Sequence, residues 1–117
     1  MKDYRQLRVW QHGHALATAC YRLSQSFPRH ELFGLTSQLR RACASVPADI
    51  AEGCGRRGDA ELRRFLNIAL GSACETDYYI LLAHDLGYID EARWSALATE
   101  ALELRKMLGA LIQKLPA

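Results

Sequence analysis

Six arginines in three adjacent pairs, Arg40-Arg41, Arg56-Arg57 and Arg63-Arg64, flank the string Gly53-Cys54-Gly55-Arg56-Arg57-Gly58. Guanidinium groups present planar donors that match phosphate oxygens. Backbone N–H groups in a glycine-rich turn ahead of a helix N-terminus add favourable dipoles for an anion. The six arginines are therefore the candidate nucleic-acid-binding residues, placed to dock an RNA backbone. The segment is not a nucleotide-binding P-loop, because GxxxxGK[ST] is absent. The competing role for such arginines is ion pairing within the fold, with one member of each pair left in solvent.

Other chemistry is less well provided for. Glu52 and Glu75 stand among apolar neighbours, where a carboxylate needs a cationic partner; Arg40 or Arg41 is the expected partner of Glu75. Two carboxylates in an inter-helix space suggest acid/base or di-metal chemistry, but di-metal bundles use Glu-x-x-His pairs and none occurs. No metal, cofactor or catalytic residue is expected. Arg5 and His12, seven apart, resemble the Arg–His spacing of some helical-bundle ribonucleases. His12, His14, His30 and His84 otherwise read as surface or boundary residues, with no Ser, Cys or Asp spaced to complete a triad. Tyr78, Tyr79 and Trp94 could stack bases, although adjacent helical tyrosines usually divide between core and interface. Cys20, Cys43, Cys54 and Cys74 show neither CxxC nor zinc spacing and read as reduced thiols, with Cys54 the expected exposed one.

Four helices must position these groups. Leu7, Val9, Trp10, Leu16, Ala17, Cys20, Tyr21, Leu23 and Phe27 recur at helical spacings over about Tyr4–Ser26, and Pro28 ends that helix. A second helix over about Glu31–Glu52 carries the seam Leu32, Leu35, Leu39, Ala42 and Val46. It should kink at Pro47, which removes one donor and crowds the carbonyl of Cys43. The 53–58 loop follows, then a third helix capped by Asp59 and stopped near Gly87. Gly71, inside it, is read as a mark of close helix contact. Asp90 caps a fourth helix whose seam is Trp94, Leu97, Ala101, Leu104, Leu108, Leu111 and Leu115. Short connections imply one all-α domain over 1–117, an antiparallel up-down-up-down four-helix bundle.

Composition agrees. The chain has 117 residues, half of them apolar, with 18 Leu and 17 Ala against 11 β-branched residues, a balance that favours helix over strand. No apolar run approaches a membrane span. The N-terminus lacks a signal peptide's apolar core, so the cytoplasm is the expected compartment. The net charge of +2 is too weak to argue for nucleic acid, but its distribution is uneven. Residues 1–58 carry nine Lys/Arg against four Asp/Glu (+5), and residues 59–117 carry six against nine (−3).

The strings Gln38-Leu39-Arg40-Arg41-Ala42, Ser45-Val46-Pro47-Ala48-Asp49-Ile50-Ala51-Glu52-Gly53 and Phe65-Leu66-Asn67-Ile68-Ala69-Leu70-Gly71-Ser72-Ala73-Cys74-Glu75 resemble a bacterial family. It is the four-helix-bundle family encoded within intervening sequences of 23S ribosomal RNA genes. Leu7-Arg8-Val9-Trp10, Ser26-Phe27-Pro28, Leu35-Thr36 and Lys106-Met107-Leu108 extend the resemblance over nearly the whole chain. It implies structural roles for Pro47, Glu52, Gly53, Gly71 and Glu75. It also implies similarity to the accessory variability determinant proteins of diversity-generating retroelements, barrel-like homopentamers that bind nucleic acid and a reverse transcriptase through a basic surface. Asp49 departs from the family's usual Asn, and its negative charge disfavours phosphate contact there.

The expectation is a non-enzymatic homo-oligomer, by resemblance a pentamer, binding RNA or a nucleic-acid enzyme such as a reverse transcriptase by a basic face. Apolar residues off the seams, Val9, Tyr79, Leu81, Leu82, Leu102 and Ile112, independently suggest self-association. The alternatives are a partner-binding oligomer without nucleic-acid affinity, a ribonuclease using Arg5 and His12, and a small-molecule binder, which the small core residues disfavour.

Overall fold

The computed structural model describes residues 3–116; the other three residues of the expected 1–117 domain lie outside it. A 3₁₀ turn at Tyr4–Gln6 precedes α1 (Arg8–Ser24), and a second at Arg29–Glu31 precedes α2 (Leu35–Gly55). Helices α3 (Asp59–Asp85) and α4 (Glu91–Lys114) complete the chain, with no strand among the described residues. Each helix packs on its sequence neighbours and α1 on α4, while neither diagonal pair brings Cα atoms within 8 Å among the described residues. The section is thus a square, with the α1–α2 face opposite the α3–α4 face. Contacts pair Gly13 with Val46, Cys43 with Ala17 and Arg40 with Ser24, and likewise Arg63 with Leu115, Asp77 with Arg105 and His84 with Glu91. Within each of these two helix pairs the partners run in opposite directions.

Local chemistry explains where the helix ends depart from the periodicity. The Asp3 carboxylate accepts from the Arg5 N–H at 3.0 Å and ties residues 4–6 into their own turn. Leu7 then takes an extended conformation (φ −77°, ψ 129°), so α1 starts at Arg8. Gly34 likewise delays α2 to Leu35, whose N–H donates to Glu31 Oε1 at 3.1 Å. At the other end α2 continues through Gly53, Cys54 and Gly55, shortening the loop to residues 56–58. That extension buries Cys54, and the exposed thiol is Cys74. The N-cap of α3 is Gly58 at φ 84°, not Asp59. Gly87 at φ 81° follows α3 as its stop signal suggested, and Asp90 caps α4 by accepting from the Arg93 N–H at 2.8 Å.

Pro47 is buried inside α2, which continues as helix on both sides of it. A Cβ at Gly13 would stand 3.2 Å from Val46 Cγ1 and 3.7 Å from Pro47 N, so α1 approaches the proline-bearing turn closely. The core is aliphatic, with Leu23, Leu39, Ile50, Leu66, Ile80, Leu104 and Leu108 almost fully buried. Of the off-seam apolar residues, Val9 is buried, and Tyr79, Leu82 and Ile112 pack against the core. Only Leu81 and Leu102 remain exposed. Gly71 corrects its expectation: nothing beyond its own stretch of helix lies within 4 Å of a Cβ built there, so it marks no close helix contact.

Candidate nucleic-acid interface

One end of the bundle brings together the start of α1, the end of α2, the start of α3 and the end of α4. It carries Arg5, Arg8, Arg56, Arg57, Arg63, Arg64 and Lys114 against Asp3, Glu52, Asp59 and Glu61. The short 56–58 turn holds two of these arginines because Gly58, at positive φ, reverses the chain without a side chain in the way. No side-chain cap covers the first turn of α3, but Asp59 and Glu61 already place negative charge at that positive helix end.

Most of the arginines here have internal work. Arg56 Nη2 donates to Glu52 Oε2 at 2.7 Å, and Arg64 donates to both Glu61 oxygens at 3.0 and 3.2 Å. Both guanidiniums lie over the Phe65 ring, at 5.0 and 4.5 Å from its centroid. The hydrogen bonds from Arg64 hold the Glu61 carboxyl below its ordinary pKa, and Glu61 in turn raises that of Arg64. Asp49, half-buried near Glu52, is pushed up, first by burial and then by the charge of Glu52. Arg63 donates to the carbonyls of Leu115 and Pro116, the latter at 2.7 Å, closing the end of α4. Arg57 is exposed with no partner among the described residues.

Arg40 and Arg41 do not join this end. Fifteen residues of helix, about 22 Å of rise, separate Arg41 from Arg56. Arg40 Nε donates to Ser24 Oγ at 2.8 Å, its Nη2 to the Tyr21 carbonyl at 3.4 Å, and its guanidinium covers the Tyr21 ring. The expected pairing of Glu75 with Arg40 or Arg41 is therefore corrected: Glu75 is exposed and accepts only a long hydrogen bond, 3.4 Å, from Tyr79 Oη. Exposure removes the desolvation that would have demanded a cation. Arg5 and His12 are not on one helix face either, because Arg5 sits in the 3₁₀ turn before α1, bound to Asp3 at 3.2 Å. No group of three or more metal-ligating side chains occurs among the described residues.

The residue pattern gave no hint of Phe33, 93% exposed in the turn before α2, nor of the carboxylates on both sides of His84. Gly13 was legible in retrospect, because it falls on the 4-3-4 seam of Val9, Leu16 and Cys20.

Fold and site together describe a short-looped four-helix bundle with a basic end and free thiols. The chain belongs to the family of 23S rRNA-intervening sequence proteins, whose model matches residues 5–110. A crystal structure of a protein of unknown function from the S23 ribosomal protein family of Bacteroides thetaiotaomicron VPI-5482 is similar. It superposes with a TM-score of 0.84 at 25% identity, over 91% of this chain and 99% of that one. A search of curated proteins finds no match. No helix of the described residues is long and apolar enough to cross a membrane.

Proposed function

We propose that the chain is a non-enzymatic, cytoplasmic homo-oligomer that binds RNA, or a protein acting on nucleic acid, through the basic end of the bundle. The observation that supports this most is the excess of basic over acidic groups among the described residues at that end, with Arg57 free. Arg56 and Arg64 keep their ion pairs in free protein, and exposed pairs of this kind are weak enough to yield to phosphate. Repetition of the end around an oligomer would turn several weak contacts into one avid surface. The test is binding of a fluorescent single-stranded RNA over a salt series, with the parent protein and with Arg56 and Arg57 both replaced by Gln. Each lost phosphate contact should lower the slope of log affinity against log salt by about 0.7. Unchanged affinity and slope would remove this loop from the interface.

A second reading, an oligomer that binds a protein partner without nucleic-acid affinity, is favoured by Phe33, since a nearly naked phenylalanine suits a protein contact. Absence of any RNA binding by the parent would move the assignment there.

A further inference from the structure

Between α1 and α2 runs a groove of about 410 Å³, in which aromatic side chains of the α1 side face the small residues Ala44, Pro47, Ala48 and Ala51 of α2. The aromatics form a ladder. The Tyr4 ring meets Trp10 edge-on at 5.1 Å, and His14 stacks on Trp10 at 4.8 Å with 7° between the ring planes. Tyr21 stands seven residues beyond His14, two helical turns or about 10 Å along the axis, and both residues are exposed. Only Ala17 and Thr18 of α1 line the interval between them. That interval matches the thickness of one or two stacked bases, at about 3.4 Å each.

Cations stand at both ends of this groove. Arg5 lies over the Tyr4 ring at 5.3 Å from its centroid, and Arg40 over the Tyr21 ring at 5.1 Å. Tyr21 also borders a second hollow, whose rim holds Arg40 and the exposed Arg41. No Asp or Glu lines either hollow among the described residues. At the other end Ala51 lies five residues before Arg56 in the chain. The groove therefore leads from the basic end of the bundle to the Arg40-Arg41 pair, which the length of α2 sets apart from that end.

We infer that the groove seats unpaired nucleobases of a single strand, His14 and Tyr21 stacking on the bases while the basic end and Arg40-Arg41 hold phosphates on either side. The inference rests on the nucleic-acid reading above and deepens it, choosing a single strand over a duplex. Every base presents a π-face to an aromatic ring once it is unpaired, whereas a duplex keeps its bases stacked inside and out of reach of the groove. Charge complementarity selects this occupant: walls free of carboxylates, with guanidiniums at both ends, fit a chain that alternates flat apolar groups with anions. A purely apolar occupant would fill the middle of the groove and leave the terminal cations without a role.

The test measures affinity over a salt series for the parent and for a variant with His14→Ala and Tyr21→Ala, using four fluorescent probes of equal length. They are a single-stranded RNA, its abasic counterpart with the same phosphates, the RNA duplex, and a DNA strand of the same sequence. Both substituted positions are exposed, and retained helicity is checked by circular dichroism; Tyr21→Ser alone replaces a double variant that unfolds. The parent should prefer the base-bearing single strand to both the abasic strand and the duplex. The variant should bind that strand about fivefold or more weakly, with the salt slope unchanged because no phosphate contact is lost, and should bind the abasic strand as the parent does. The same loss on the DNA strand supports the base site and widens its source to either nucleic acid. Equal binding of base-bearing and abasic strands, a duplex bound as tightly as the single strand, or an unchanged variant overturns the inference and leaves the basic end as the interface. A loss of affinity accompanied by a change in molar mass by light scattering assigns the groove to another protein copy and also overturns it. A parent that binds none of the four probes ends both this inference and the nucleic-acid reading.

Discussion

Gly53 of α2 meets Phe65 of α3 so closely that a Cβ on Gly53 would stand 2.9 Å from Phe65 Cβ and 3.2 Å from Leu62 Cδ1. Neither side can retreat easily. The obstructing atom is fixed to the α3 backbone, and the Phe65 ring is covered by Arg56 and Arg64. This contact sets the distance between the two helices at the root of the basic turn.

Gly53→Ala should therefore destabilise the protein by about 1–3 kcal/mol, the usual cost of overpacking. The strain exceeds the gain of up to about 1 kcal/mol that alanine brings to a helix interior. Gly71→Ala, with open space around it, should show that gain alone. Urea denaturation of the two variants checks the opposite signs; stabilisation by Gly53→Ala would mean that the helices can separate there at little cost.

Those two glycines also show what the residue pattern could reveal. Both sit inside helices, and a glycine's type says that a Cβ is missing but not whether anything occupies its place. Helix count and most core positions follow from periodicity, because a 3-4 repeat of Leu and Ala has few other ways to bury itself. The arginine pairs were harder. Adjacent residues on a helix point about 100° apart, so Arg63 turns to the α4 carbonyls while Arg64 turns to Glu61. Which of them remains free depends on partners from distant segments. Glu75 and Arg40 lie on helices that do pack together, but their side chains leave that interface in different directions.

The cysteines provide a direct measure of local order. Cys74 is exposed and Cys20, Cys43 and Cys54 are buried; burial also raises the Cys54 thiol above its ordinary pKa of 9.0. An aromatic disulfide reagent should modify one thiol per chain rapidly in native protein and the remaining three only on unfolding. Fast modification of Cys54 would indicate that the end of α2 frays through Gly53–Gly55.

Arg63 closes the end of α4 by donating to the carbonyls of Leu115 and Pro116. Arg63→Ala should cost roughly 1–2 kcal/mol, as expected when charged donors to backbone carbonyls are lost. Amide hydrogen exchange over residues 110–115 should accelerate in the variant, while RNA affinity should fall less than in Arg57→Gln. A larger loss of RNA affinity than of protection would return Arg63 to the binding surface.

His84 joins α3 to α4 through both of its ring nitrogens: Nδ1 faces Asp85 Oδ1 at 3.0 Å and Nε2 faces Glu91 Oε1 at 2.9 Å, with the ring stacked on Trp94 at 4.4 Å. Both nitrogens can donate only in the imidazolium form, and the C-terminal end of α3 favours the same cation. The hydrogen bond to Glu91, then that to Asp85, raises the His84 pKa above its ordinary 6.5. A folded-state pKa raised above the unfolded value gives stabilisation that is complete below 6.5 and disappears as pH rises through the folded value. Thermal stability should therefore decline as pH rises above 6.5 in the parent and decline less in His84→Gln. In a Trp10→Phe background, Trp94 fluorescence should increase over the same interval as the adjacent cation is discharged. A proton NMR titration of the His84 ring gives the midpoint directly, and a value at or below 6.5 would show that neither carboxylate holds the proton.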